Sequence, residues 1–553
     1  MIRTFKTHKI RKQQELTGSY WTFSPCEGVY AGKSYQVMTP SCWETYPDFA
    51  GYRGESVYRT QFQAGGNIRL EFKGVSHTAT VWLDGKKIAS HYNAYTIFST
   101  VVKGLDRAEH KLEVRVDNRF SSESALHIPN DYMSYGGISR PVVLEELKDV
   151  YIEWLHVTPQ YKAGIWKALL ELKLQNISDE SKCILACIRL AGEEVRWQQT
   201  EISANSAILL TREVSFADVH TWEPQHPNLY TIHAVLEENG MVTDDYIDRF
   251  GFRQITIVGK KLLLNGNEIT IKGFCRHEDH PLYGCALPFE AMTADLALLH
   301  HLGANSVRTV HYPNDELFLD LCDEQGILVW EENHARGLSL EDMQNPNFEH
   351  QAEEVIREMV PSHYNHPSIY IWGILNECAS DTAYGKACYE KQLSLIRTLD
   401  QSRPLSFASC KFKTDICLGL PDVVSYNIYP LWYHNTPAAK YLDDLYQWVQ
   451  NETEGAGKPF LITEIGAGAI YGCHDQRNSK WTEEYQAEAL RAQLEAVLSY
   501  ENCMGVYIWQ FCDVRVSEEW FEKRPRCMNN KGVVDEYRRR KLSYTVVKEI
   551  FEA

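Results

Sequence analysis

From about residue 257 the chain falls into a strand-then-helix rhythm, and this limits the fold more than any other feature. The runs "ITIKGFCRHED", "NSVRTVHYP", "ILVWEEN", "IYIWGILNE", "LSFASC", "VVSYNIYP", "FLITEIGA" and "GVYIWQFCD" are apolar and rich in β-branched and aromatic residues. Most are separated by stretches of helical pattern, such as "PFEAMTADLALLHHLGA" and "QAEEVIREMV", and "SYTVVKEIFEA" supplies an eighth helix. Strands buried on both faces read as continuous apolar runs, and parallel strands need long crossovers. Eight such units in about 300 residues predict a closed (β/α)8 barrel over 257–553. In the second unit Asn314 is expected to cap the helix and Gly326 to end it.

Upstream the period is two. "NIRLEFKGV", "TATVWLDGKKIAS" and "KLEVRVDN" alternate apolar and polar residues, and Asp84-Gly85 sits between two such runs as a hairpin turn. Residues 1–150 therefore read as an antiparallel sandwich ending in "SYGGISRPVVLEEL". Short strands continue through 151–256, as in "KALLELKLQN" and "NLYTIHAVLE", which fits an immunoglobulin-like sandwich.

Composition narrows the function. A chain of 553 residues exceeds what one core supports, so two to four domains are expected. The net charge of −18 argues against nucleic acid, whose binders carry basic faces. The start "MIRTFKTHKIRKQQELTGSYW" lacks an apolar signal core, and no apolar run is long enough to span a bilayer. A cytoplasmic protein is expected. The 15 cysteines, among them Cys275, Cys285, Cys322, Cys378 and Cys388, form no CxxC pairs and read as reduced thiols. "CRHEDH" (275–280) mixes metal-ligand types, but neighbours on a strand face opposite ways, so no metal and no cofactor is expected.

In barrels of this kind chemistry sits at the carboxyl ends of the strands. Those ends carry Arg276, His277, Glu278 and Asp279 in the first unit, and Arg308 and His311 in the second. Glu331 and Glu332 end the third, with Arg336 beyond. Asn376 and Glu377 follow the fourth, Asn427 and Tyr429 the sixth, Glu464 the seventh, Trp509 and Asp513 the eighth. Glu377 and Glu464 thus face one mouth from strands four and seven. Two carboxylates flanking a sugar suit glycoside cleavage: one donates a proton to the leaving group while the other attacks or activates water, with retention if they stand about 5–5.5 Å apart. Burial and the partner's charge are expected to raise Glu377 into the range of a useful acid.

These motifs, together with "GVSHTATVWLDG", "YGGISRPV", "GFCRHED", "GANSVRTVHYP" and "HPSIYIWGILNE", resemble glycoside hydrolase family 2 over nearly the whole length. The resemblance implies a jelly roll, an immunoglobulin-like sandwich and a barrel, in that order. It implies Glu377 as acid/base, Glu464 as nucleophile, and Asn376 on the sugar 2-hydroxyl. Family members that cleave β-glucuronides grip the C6 carboxylate with an Asn-x-Lys motif after strand eight, and Asn529 and Lys531 in "RCMNNKGVV" fit it. By the same likeness Asn427, Tyr429 and Tyr433 line the uronate subsite. His311 and Asp131 hold sugar hydroxyls, Asp131 reaching in from the first domain, and Trp509 forms the floor.

Two departures bear on the sugar. Pro525 stands where the family often has arginine, although Arg524 and Arg526 flank it. Arg336 replaces a familiar apolar residue, and its guanidinium would suit an axial C4 hydroxyl, that of a galacturonide. The segment "EENHARGLSLEDMQNPNFEHQAEE" is short. Some gut-bacterial relatives carry a long loop there, so an open entrance is expected. The expectation is a retaining exo-β-hexuronidase acting on glucuronides, galacturonides or both, assembled as a homodimer or tetramer. A β-galactosidase of the same family is the alternative, and a non-catalytic glycan-binding protein the remote one.

Overall fold

Two long antiparallel strands, Glu55–Phe72 and Phe98–Asp117, organise the first sandwich, pairing from Glu55 opposite Asp117 to Phe72 opposite Phe98. Alternate residues of these strands and of Ser19–Pro25 and Thr78–Leu83 point inward, so Trp21, Phe23, Ile68, Leu70, Val81 and Val114 form one core. The hairpin at Asp84-Gly85 has both residues at positive φ (50° and 81°), as a tight two-residue turn between twisted strands requires. The computed structural model describes residues 1–553.

The second sandwich sets Val150–Lys162, Ile165–Asn176 and Ser206–Phe216 against a sheet built on Lys182–Leu190, Tyr230–Glu238 and Met241–Phe250. A core separate from the first fills the space between them. A small sheet of Ile255–Val258, Lys261–Leu264 and Asn267–Glu268 follows, its Leu262 and Leu264 packed with barrel residues such as Ile271 and Tyr507.

The barrel then closes through eight parallel strands: β1 (Ile271–Arg276), β2 (Ser306–Thr309), β3 (Leu328–Glu332), β4 (Ile369–Ile374), β5 (Leu405–Ser409), β6 (Val424–Asn427), β7 (Phe460–Ile465) and β8 (Gly505–Ile508). β1 pairs with β8, which removes both sheet edges. Every residue of β2 to β8 is buried, as the apolar runs require. β5 and β6 are joined without a helix, so the alternation is incomplete at that point. Asp315, not Asn314, caps the helix Glu316–Gln325 by accepting from Leu317 N, while Gly326 ends it at φ 71°. Asn314 is instead drawn inward, where its side chain accepts from Arg276 and its backbone N donates to Glu331. No helix is long and apolar enough to cross a membrane.

The N-terminal segment ties the units together. Arg11, fully buried, donates to both oxygens of Asp244 (2.9 and 2.7 Å), to Glu145 (2.9 Å) and to Ile152 O (2.6 Å), so one guanidinium joins the two sandwiches. Arg3 does the same between the second sandwich and the barrel, through Asp248, Glu316 and Asp320. Removing one partner of a buried charge network leaves the others uncompensated. Arg11→Met should therefore cost about 3–5 kcal/mol, seen in calorimetry as a lower midpoint of the first unfolding transition. An unchanged midpoint would show that the network contributes no net stability.

Candidate active site

β4 delivers its carboxylate through a strained turn. Leu375 and Glu377 both adopt left-handed backbone conformations (φ 46° and 56°), uncommon for residues with a side chain and found preferentially where function demands them. This swings Glu377 out of the apolar run into the barrel mouth, where Asn427 Nδ2 donates to its Oε1 (2.9 Å). Glu377 is only partly buried, with 20 % of its side chain exposed, whereas Glu464 at the end of β7 keeps 5 %. The expectation that burial acts chiefly on Glu377 is thus corrected: the more buried carboxylate is Glu464. Burial pushes Glu464 up to about 8, and the charge of Glu377 adds to the push, against the pull of Arg308 and of Tyr429 OH.

Arg308 on β2 is the hub. Its guanidinium bonds Glu464 Oε1 (2.9 Å), Asn376 Oδ1 (2.8 Å) and both oxygens of Glu332 (3.0 and 3.1 Å). Glu332 also accepts from Trp330 Nε1 (2.8 Å) and bonds His311 Nδ1 (2.7 Å). Tyr429 OH closes on Glu464 Oε2 (2.5 Å), and Asn427 bridges Asn376, Glu377 and Thr463. Asn376 Oδ1 is doubly used, which leaves its Nδ2, buried and without a partner, to donate. His311 is held well below its usual range by burial and by Arg308 and Arg336. Neutral, it gives its Nδ1 hydrogen to Glu332 and keeps an unpartnered Nε2 as an acceptor. Its ring stacks on buried Trp509, centroids 5.1 Å apart.

The first sandwich supplies the other wall. Its loop after Asp117 is pinned in the barrel by paired bonds between Asn130 and Ser517 (2.9 and 2.7 Å) and by Tyr135 OH on Asp279 (2.9 Å). Gly136 in "YGG" passes so close to Trp43 that a Cβ would lie 2.1 Å from its ring. Asp131 at the tip meets Arg336 (3.1 Å), Arg524 (3.0 Å) and Asn529 Nδ2 (3.0 Å). Burial alone would raise Asp131, but the charges of Arg336, Lys531 and Arg524 hold it well below the usual carboxylate range. Arg336 also bonds Asn130 (2.8 Å) and approaches Glu377 at 3.9 Å.

Lys531 is buried yet paired with no carboxylate. Its ammonium lies 5.5, 5.9 and 6.0 Å from the ring centres of Tyr433, Tyr429 and Trp432. Tyr433 is exposed and stands at the rim. Asn529 Oδ1 has no partner either. A site with a bare ammonium, an acceptor imidazole and a free amide N–H beside two carboxylates is made for a polar ligand bearing an anion.

All twelve residues singled out from the sequence converge here. Arg308, Glu332, Asn130 and Trp432 complete the site, and sequence reasoning gave them no role. Only their place at or beyond strand ends could have pointed to Arg308 and Glu332. Of the arginines around Pro525, Arg524 joins the site and Arg526 turns away to Glu536. The "CRHEDH" residues scatter: Arg276 goes to Asp295, Glu278 to Arg140 and Asp279 to Tyr135. Asp320, Asp323 and His366 lie within 4.8 Å of one another, but Arg3 neutralises Asp320 and His366 bonds Asp323 at 2.5 Å.

Comparison with known proteins agrees along the chain. Residues 48–167 match the "Glycosyl hydrolase 2 galactose-binding domain-like" family and residues 150–253 "Glycosyl hydrolases family 2". A crystal structure of a family 2 β-galacturonidase from Eisenbergiella tayi bound to galacturonate is 58 % identical, covers 100 % of this chain and 99 % of its own, and superposes with a TM-score of 0.98. A β-glucuronidase of Streptococcus agalactiae is 28 % identical over 80 % of this chain and 79 % of its own. A β-galactosidase of Thermoanaerobacterium thermosulfurigenes is 28 % identical over 93 % of this chain and 69 % of its own. With residues 255–553 matching "Glycosyl hydrolases family 2, TIM barrel domain", the chain belongs to glycoside hydrolase family 2.

Proposed function

We propose that the protein is a retaining exo-β-hexuronidase that favours β-D-galacturonides and also accepts β-D-glucuronides. The observation that carries this reading is Lys531: a buried ammonium without a carboxylate, caged by aromatic rings in the same mouth as Glu377 and Glu464. Facing a neutral CH2OH it would stay unpaired at a large desolvation cost, whereas a C6 carboxylate compensates it. The β-galactosidase reading is the weaker for that reason. Kinship with a β-galacturonidase supports the axial C4 preference, as does Arg336, fixed by Asp131 and Asn130 at the sugar wall.

Two carboxylates at one barrel mouth fit the two-step displacement of a retaining enzyme. Arg308 on Oε1 and Tyr429 on Oε2 orient Glu464 for attack on the anomeric carbon. As that C–O bond forms, the glycosidic C–O bond breaks and Glu377 gives its proton to the departing oxygen. Glu377, now the base, takes a proton from water; the water oxygen bonds the anomeric carbon and frees Glu464. Asn376 Nδ2 donates to the sugar 2-hydroxyl, a contact that strengthens as positive charge develops on the ring. Burial, with the charge of Glu377 adding to it, keeps a proton on Glu464 up to about 8 in the free protein, whereas attack requires Glu464 unprotonated and the proton on Glu377. The first and second units, read as 1–150 and 151–256, carry the wall and brace the barrel. A cytoplasmic homo-oligomer, dimer or tetramer, belongs to the proposal, and a monomer in sedimentation velocity would remove it.

The test is kcat/KM on the p-nitrophenyl β-galacturonide, β-glucuronide and β-galactoside. Uronides should exceed the galactoside by far, with the galacturonide ahead of the glucuronide. Glu464→Gln should abolish all turnover, by about 10⁴-fold. Lys531→Ala should cost the uronides about 2–3 kcal/mol, a factor of about 30 to 150. A galactoside preference untouched by Lys531→Ala would sink the uronide reading. The pH profile follows from the raised Glu464: its proton is retained below about 8 and lost above, so kcat/KM should fall as pH rises through about 8. A value still climbing at higher pH would contradict the need for that proton on Glu377.

A further inference from the structure

The loop that bears Asn529 and Lys531 has little regular structure beyond Met528–Asn529, yet its backbone is bonded at every residue. Gln510 donates from its side chain to Asn529 O (3.1 Å) and from its backbone to Lys531 O (3.0 Å). Gln486, on the helix Glu483–Leu498, donates to Gly532 O (3.0 Å). The tightest junction is Lys541, just before the C-terminal helix Leu542–Glu552. Its ammonium, fully buried, bonds Asp513 Oδ1 (2.8 Å), Ala469 O (2.7 Å) and Asn530 O (3.3 Å). Asp513 Oδ1 accepts in turn from Gly532 N (2.9 Å), and Ala469 N donates to Asn530 O (2.8 Å).

One buried ion pair therefore holds both chain neighbours of Lys531, and ties them to the segment just after β7 that carries Glu464. Gly532 is closely packed, since a Cβ there would lie 2.3 Å from Asp513 N and Val534 O. An ion pair in the interior gains little net stability, because desolvation offsets the attraction. What this one achieves is registration. Lysine is a point charge on a flexible stem, so where its ammonium falls relative to the anomeric carbon depends on where its backbone is held.

We propose that Lys541, acting with Asp513, is a positioning residue for uronate selectivity: the pair fixes the Lys531 loop at a set distance from Glu464. This rests on Lys531 as the partner of the C6 carboxylate. The double variant Lys541→Met/Asp513→Asn removes both charges without leaving one unpaired. On the p-nitrophenyl β-galacturonide its KM should rise about tenfold or more, with kcat changed by less than about threefold, because the hub at Arg308 is untouched. Unchanged KM, or a fall in kcat at constant KM, would overturn the proposal. Lys531→Ala is measured alongside. If it too leaves KM unaltered, the uronate reading has failed; if it alone raises KM, only the positioning inference has. Should the double variant not fold, Gln486→Met, which releases Gly532 O together with Ala467 O after β7, is subject to the same readout and the same two outcomes.

Discussion

The buried guanidinium of Arg308 is the interaction on which the site depends. It sits inside the barrel with Glu332, Glu464 and Asn376 as acceptors, and each of these comes from a different strand or strand end. A charge in that place costs several kcal/mol of desolvation unless it is fully bonded, so its partners are pinned as firmly as it is. Glu332 then transmits the constraint to His311, and through its ring to Trp509. The two carboxylates at the mouth thus stand on a bonded network, and pre-organised dipoles of this kind need no reorganisation when charge develops.

A second constraint is that the barrel does not complete its own mouth. Asp131 and Asn130 belong to the first sandwich, and without them Arg336 and Arg524 would be partly buried cations short of a partner. Domain docking and completion of the barrel mouth are therefore one structural event. The bonds that seat the loop, Asn130 with Ser517, Tyr135 with Asp279 and Arg140 with Glu278, also decide where Asp131 lies. The same economy governs the far side, where the approach to the C-terminal helix sets the backbone of Lys531.

Much was legible beforehand because it is periodic. Period-two alternation marks sandwich strands, and continuous apolar runs broken by helices mark a barrel; these patterns survive whatever the tertiary details. The strand-end rule then located Glu377 and Glu464. The cap of the second barrel helix was misassigned to Asn314 because the choice between adjacent Asn and Asp turns on which one the core recruits, here Arg276 and Glu331 claiming Asn314. Arg308 and Glu332 were seen as strand ends but given no part, since a polar residue in an apolar run does not announce its partner across the barrel.

By itself the sequence determined the three-unit order, the eight-stranded barrel and the carboxylates at its strand ends, because local periodicity and residue type encode them. Only the tertiary structure decided which carboxylate is the deeply buried one: Glu464 lies within the barrel end, while the left-handed turn at Leu375 and Glu377 lifts Glu377 toward the opening. It also decided that Arg336 and Arg524, not Arg526, converge on Asp131, and that Lys531 meets rings in place of a carboxylate. Proton affinity and charge pairing depend on distance and burial between groups hundreds of residues apart, and no spacing along the chain contains those quantities.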